Sequence, residues 1–193
     1  MNPKRGYRES GIPREAKRVF EGKIFDVYQW EQKLYDGSTA TFERITRPDT
    51  VVIFPVLPDG TIVLIEDTQP DRESVLTAPS GRLENDETPE QAALRELKEE
   101  TGYAPEKLDL FYTYAPFRKI DWVTYVFVAK GCVKIALPAL DPGERIIPHP
   151  VTLDELIELG ASGGYKNSGF EALVLRAKLD SKKMEGFRKW FIP

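Results

Sequence analysis

The chain has 193 residues, 41% hydrophobic and 30% charged, enough for one compact domain with an appendage or for two small ones. A formal net charge of −4, one histidine and one cysteine speak against non-specific nucleic-acid binding, a histidine-rich metal centre, a cysteine-cluster zinc site and an internal disulfide. The longest apolar run, 51–57, contains Pro55 and is too short to cross a membrane, and the lone Cys132 fits a reducing compartment, so a cytoplasmic protein is expected.

Residues 1–18 carry six bases and no apolar stretch of the signal-peptide kind, and read as a flexible basic arm. From Val19 the pattern turns to strand, with Phe20, Ile24, Phe25, Val27, Tyr28, Trp30, Leu34 and Tyr35 leading into an Asp36-Gly37 hairpin turn. Thr39 to Thr46 is the returning strand, and Arg47-Pro48-Asp49 breaks it. This divides a small N-terminal antiparallel β unit, 19–48, from a main domain, 49–193. A second hairpin is expected over Val51 to Leu57 and Thr61 to Glu66, turning at Pro58-Asp59-Gly60, and a further strand over Asp121 to Ala129.

Three helices show their N-terminal caps: Thr88-Pro89-Glu90-Gln91, Thr152-Leu153-Asp154-Glu155 and Ser168-Gly169-Phe170-Glu171. The first should stop at Gly102. In the tail, Met184, Phe187, Trp190 and Phe191 recur at helical spacing among basic residues. Such a face packs on its own domain or on a partner subunit in preference to a membrane.

Charge is concentrated in one segment. Between Gly81 and Gly102 stand seven carboxylates (Glu84, Asp86, Glu87, Glu90, Glu96, Glu99, Glu100) against Arg82, Arg95 and Lys98. At 100° per residue, Arg95, Glu96, Glu99 and Glu100 share one arc of a helix, and Ala93, Leu94 and Leu97 the adjoining arc, which should pack on a sheet. Glu96 and Glu100, four apart, have Cβ atoms about 5–6 Å from each other. Acids at a helix C-terminus oppose the macrodipole. A solvated face carrying an ordinary Arg95–Glu99 pair is one explanation; cation binding is the other. An all-oxygen donor set selects Mg²⁺ or Mn²⁺, and Mg²⁺ in an acidic cleft points to a phosphorylated substrate.

The stretch 81–103, GRLENDETPEQAALRELKEETGY, resembles the Nudix box, with Gly81, Glu87, Arg95, Glu96, Leu97, Glu99, Glu100 and Gly102 in place and Tyr103 where an aliphatic residue is usual. The resemblance implies a Nudix α/β/α sandwich with a mixed sheet over 49–193, and hydrolysis of a nucleoside diphosphate linked to another group. It implies Glu96 and Glu100 as principal Mg²⁺ ligands, with Mn²⁺ as a substitute. Glu99 would bind a further ion or orient water, and the Ser80 carbonyl would be another ligand. Arg95 would hold the carboxylates and Glu87 support them.

Outside the box, the N-terminal β unit, the approach Pro79-Ser80-Gly81 and the C-terminal helices resemble the ADP-ribose pyrophosphatase branch. There the N-terminal unit is exchanged across a homodimer and helps build the nucleoside pocket. Pro142-Gly143-Glu144-Arg145-Ile146 resembles that branch's mobile catalytic loop, which implies Glu144 as the general base or a water-positioning residue; a surface acid beside Arg145 is the competing reading. Three departures stand out. Gln69-Pro70-Asp71 lacks the branch's arginine, with Arg72 one place later; Thr77 replaces a glutamate; and Pro116 falls early. Substrate-binding candidates are Arg72, Phe117, Arg118 and Lys119, with Trp30 from the N-terminal unit. His149, between two prolines, reads as a rigid loop residue. The expected function is Mg²⁺-dependent cleavage of a nucleoside diphosphate sugar, ADP-ribose first. The alternatives are another nucleotide pyrophosphate (GDP-mannose or a dinucleotide) and a non-catalytic nucleotide-sugar-binding module. Expected partners are a small nucleotide and a second copy of the chain, with neither nucleic acid nor membrane.

Overall fold

A computed structural model describes residues 11–84, 86–165 and 168–193. Thirteen strands and four helices follow in order among these: β1 (Lys17–Glu21), β2 (Asp26–Lys33), β3 (Thr39–Thr46), β4 (Thr50–Val56), β5 (Ile62–Gln69), β6 (Arg72–Thr77), β7 (Ser80–Arg82), α1 (Pro89–Thr101), β8 (Tyr103–Ala104), β9 (Lys107–Tyr114), β10 (Ile120–Asp121), β11 (Thr124–Lys130), β12 (Val133–Lys134), β13 (Arg145–Val151), α2 (Leu153–Ser162), α3 (Ser168–Lys178) and α4 (Ser181–Lys189).

The main sheet runs β13-β5-β4-β11-β9, with β6 added to β5 and β7 to β4. It is mixed: β11 lies parallel to β4, while β9 and β13 run antiparallel to β11 and β5. Strand β4 has both faces covered, which is why it reads as an unbroken apolar run. Val51 and Ile53 on one face pack with Ala92, Ala93 and Leu97 of α1. Val52 and Phe54 on the other pack with Leu156, Phe170, Val174, Phe187 and Phe191 from α2, α3, α4 and the tail. A helix on one face and three on the other make an α/β/α sandwich.

Helix α1 is fixed at both ends. Thr88 accepts from the Gln91 N–H and Gln91 reaches back to the Thr88 N–H, a reciprocal cap contributing about 1 kcal/mol. Gly102 ends it at φ +73°, its N–H on the Lys98 carbonyl. A Cβ there would stand 2.1 Å from the Ala136 carbonyl oxygen, so both conformation and space demand glycine. The Thr152 cap also forms as expected. Of the cap expected at Ser168, the side chain lies outside what the structure describes, as do residues 1–10 of the basic arm.

Several expectations need correction. Strand pairing starts at Lys17, inside the segment assigned to the arm. The β unit is not closed at 48 in space: β10 joins β1-β2-β3 as a fourth strand, parallel to β3. The strand expected over 121–129 is broken by that excursion into β10 and β11, with the Val123 N–H donating to buried Asp49 across the break. Leu94 is 44% exposed, because it lies a further 100° round from Ala93, past the edge of the buried arc. His149 lies in strand β13, not in a loop. β13 is an edge strand, and Pro148 and Pro150, two apart, share one side of the ladder, so their missing N–H groups cost it nothing on the β5 side. The amphipathic tail packs on its own domain, with Phe187 and Phe191 in the core.

Candidate active site

The first turn of the box is a close approach. Gly81 pairs with Val51 in the β4–β7 ladder, and a Cβ on it would fall 1.9 Å from Glu96 Oε1. The Pro79 carbonyl accepts from the Ile53 N–H. Alternation along the antiparallel ladder therefore turns the N–H and C=O of Ser80 away from β4. That N–H donates to Glu100 Oε2 at 2.9 Å, leaving the Ser80 carbonyl on the same side as this carboxylate.

Arg95 ties the acids together. Its Nε and Nη2 donate to both oxygens of Glu87 at 2.8 and 2.9 Å, and Nη2 also reaches the Arg82 carbonyl. Its Nη1 donates to Glu96 Oε1 at 2.8 Å and to Glu99 Oε2 at 3.1 Å. The i,i+4 pair to Glu99 is thus one part of a larger network, and Glu87 is held below the usual carboxylate range, first by its hydrogen bond from Arg95.

The other carboxylates are shifted upwards. Glu100 is only 6% exposed. Burial pushes its carboxyl up to about 9, with the charges of Glu96, Glu144 and Asp67 adding and the Ser80 N–H opposing. Burial also raises Glu96, against the pull of Arg95. Glu144 precedes β13 in a tight loop: its N–H donates to the Asp141 carbonyl and its Oε2 accepts from the Asp141 N–H. Burial raises its pKa too, and the charges of Asp141, Asp67 and Glu99 add to that. The acids from α1, from β5 and from the loop before β13 therefore sense one another's charge.

An all-oxygen set of this kind suits a hard divalent cation. Glu96 Oε2, Glu100 Oε1 and the Ser80 carbonyl fit such an ion as donors. Among the described residues, however, no three acidic, histidine or cysteine side chains stand drawn together in ion-ligating geometry. Arg95 occupies Glu96 Oε1 and Glu99 Oε2.

The expected substrate-binding residues fall into two groups. Trp30 and Lys119 meet at Phe42, the Trp30 ring 6.1 Å from the Phe42 centroid and Lys119 Nζ 5.2 Å from it. Phe117 stacks on Trp122 at 6.4 Å, and the Arg47 guanidinium lies 4.3 Å from the Trp122 ring centroid. Arg118 is exposed beside them. Arg72 lies elsewhere, donating to Asp67 Oδ2. Arg47, Trp122 and Phe42 were missed as partners of this cluster; the arginine at the domain break read only as a turn signal.

Asp67 was missed altogether. It is 8% exposed, and its Oδ1 is buried without a hydrogen-bond partner, an arrangement that costs about 1–3 kcal/mol or more for a charged group. In sequence it is one acid in a β-strand and carries no spacing signal.

A family model described as NUDIX domain matches residues 46–167. This chain belongs to the Nudix family. The Nudix chain is 33% identical over 148 residues to an ADP-ribose pyrophosphatase from Bacillus subtilis (strain 168), a match covering 74% of this chain and 79% of that protein. It is 31% identical over 147 residues to a methanol dehydrogenase activator from Bacillus methanolicus, covering 75% of this chain and 80% of the other. An ADP-sugar pyrophosphatase from Mus musculus is 40% identical over 82 residues, covering 36% of this chain and 38% of that one. A crystal structure described as an ADP compounds hydrolase superposes with a TM-score of 0.70 over 86% of this chain and 92% of its own, at 20% identity, a likeness of fold. The expected Nudix α/β/α fold and the class of Nudix pyrophosphohydrolase therefore stand. No helix among the described residues is long and apolar enough to cross a membrane.

Proposed function

We propose that this Nudix enzyme hydrolyses the diphosphate bridge of a nucleoside diphosphate sugar, with ADP-ribose the first substrate, giving AMP and ribose 5-phosphate. The observation that carries this reading is the burial of Glu100 beside Glu96 and Gly81, facing the acids of β5 and the loop before β13. A solvated helix face would leave Glu100 in water. The relatives named ADP-ribose pyrophosphatase and ADP-sugar pyrophosphatase support the choice of substrate.

Glu96 and Glu100, with the Ser80 carbonyl, would hold Mg²⁺, and Glu99 would bind a further ion or orient water. When bound, the metal neutralises charge on the diphosphate and activates a water towards phosphorus. Arg95 keeps Glu87, Glu96 and Glu99 in register. Glu144, its carboxyl raised by burial, accepts the proton of the attacking water, because a less acidic carboxyl is the better base. Trp30, Phe117, Arg118 and Lys119 receive the nucleoside end, offering ring faces with cations beside them. A second copy of the chain, docked through the N-terminal sheet, completes that pocket.

One observation favours a second reading within the class. Arg72, the displaced arginine of the β5–β6 turn, is engaged by Asp67, so this chain meets its substrate with a different set of cations from the branch it resembles. GDP-mannose or a dinucleotide is the alternative on that ground. Purified protein with Mg²⁺ should release AMP from ADP-ribose faster than it cleaves GDP-mannose, dinucleotides or nucleoside triphosphates. Turnover of triphosphates alone would overturn the assignment.

A further inference from the structure

On the face of the main sheet opposite α1, helices α3 and α4 and the edge strand β9 leave a cavity of about 320 Å³ between them. Its walls follow from local patterns. Along β9 the register slips against β11, where Tyr112 pairs with Val126 but Leu110 with Phe127. Phe111 is the extra residue. The bulge turns both Phe111 and Tyr112 to the side of α2, α3 and α4, while Leu108 and Leu110 keep to the side of α1. On α3, Leu173, Arg176 and Ala177 are three and four positions apart; on α4 and its cap, Lys183, Phe187 and Trp190 are likewise four and seven. Each set is one helix face turned to the gap.

The inner wall is aromatic. The Phe111 ring centroid lies 4.9 Å from that of Trp190 and 5.9 Å from that of Phe187, the rings inclined to one another by 46° and 60°. Such a wall offers a planar guest both ring faces and ring edges. The rim is cationic. Three bases of α3 and α4 are taken up by carboxylates: Lys178 by Glu158, Arg188 by Asp154 and Lys189 by Glu185. The two that border the cavity are not held in this way. Among the described residues no ion pair engages Arg176. The acid near Lys183, Asp180 at 3.9 Å, already caps α4 through the Lys182 and Lys183 N–H groups.

An aromatic hollow beneath two exposed cations complements a guest with an apolar body and one negative charge. A planar carboxylate suits Arg176 in particular, since a guanidinium takes it through two parallel hydrogen bonds. The volume stands at the low end of small-molecule sites, about 300–1,000 Å³, and so suits one or two rings better than a nucleoside diphosphate. We infer that this cavity binds a small aromatic carboxylate, its rings against Phe111, Phe187 and Trp190 and its charge at Arg176 and Lys183. The sheet separates this site from Glu96 and Glu100 on α1.

2-Naphthoate, titrated into the full-length chain and followed by NMR, tests the site without reference to turnover. It should shift the Trp190 indole N–H and the Ala177 methyl with a single midpoint. Binding should be about 10-fold or more tighter than that of the uncharged 2-naphthalenemethanol, the loss expected for a charge-assisted contact. Arg176→Glu combined with Lys183→Glu, both at exposed positions, should abolish that preference for the acid. Lys182→Glu, at an exposed lysine outside the cavity, should leave affinity within about twofold, because solvent screens it. The inference is overturned if Trp190 and Ala177 do not respond, if the alcohol binds as tightly, or if Lys182→Glu weakens binding as much as the pair. Movement of the same two resonances on dilution of the chain alone would make a second copy the occupant, and overturns it too. Should the double variant fail to fold, the comparison of acid with alcohol on the parent chain decides.

Discussion

At the scale of single residues, Glu100 carries the sharpest consequence. Its carboxyl is raised from an ordinary 4.5 to about 9, chiefly by burial. A group whose folded pKa lies above its unfolded one stabilises the fold below the unfolded value and loses that contribution as pH rises through the folded value. In chelator, the melting temperature should therefore fall between pH 5 and pH 9. Glu96 and Glu144 shift in the same direction. Glutamine at position 100, which cannot ionise, should flatten the fall, as followed by circular dichroism; an equally steep fall in that variant would place the strain elsewhere. Gly81→Ala is the matching steric test. A Cβ 1.9 Å from Glu96 Oε1 must displace that carboxylate, and a shift of about 1 Å at a reacting centre costs on the order of 100-fold in rate. Steady-state kinetics should show the loss mainly in kcat. The box glutamates were legible from sequence because two acids four apart on a helix must share a face. Asp67 was not, since its burial comes from the pairing of β5, which only the folded sheet supplies.

At the scale of elements, caps were the most readable signals because they are local chemistry. Thr88, Gln91 and Gly102 bound α1 within a residue of the expected ends. Thr88→Ala should lower stability by about 1 kcal/mol in urea denaturation, with Mn²⁺ affinity little changed, since Glu96 and Glu100 lie in the last two turns and Thr88 before the first. Long-range pairing was less readable. Nothing in the stretch around Ile120 announces that two residues leave the main sheet to lie parallel to β3. Nor does alternation in β13 survive its prolines, which an edge strand tolerates and a central one would not. Leu94 marks the limit of helical-wheel reasoning, where an arc's edge is set by how far the sheet extends beneath it.

At the scale of the whole molecule, the proposed second copy of the chain would cover apolar residues at the edge of the N-terminal sheet. Val19 and Phe20 of β1 are more than half exposed, and Ile24 and Phe25 of the turn into β2 are also open to solvent, an apolar set that an association between copies would bury. Sedimentation equilibrium should give a dimer, and Phe20→Asp should shift it towards monomer while leaving the Nudix domain's circular dichroism intact. A parent chain that is monomeric at micromolar concentration would contradict the exchange of this unit between copies.

Whether the buried glutamates grip a cation for diphosphate cleavage is tested directly by product release measured against Mg²⁺. The parent should convert ADP-ribose to AMP and ribose 5-phosphate only when Mg²⁺ or Mn²⁺ is present. Glu100→Gln, folded to the same melting temperature or higher, should retain no more than about one-thousandth of that rate. Undiminished AMP release from Glu100→Gln, or release from the parent in excess chelator, would contradict it.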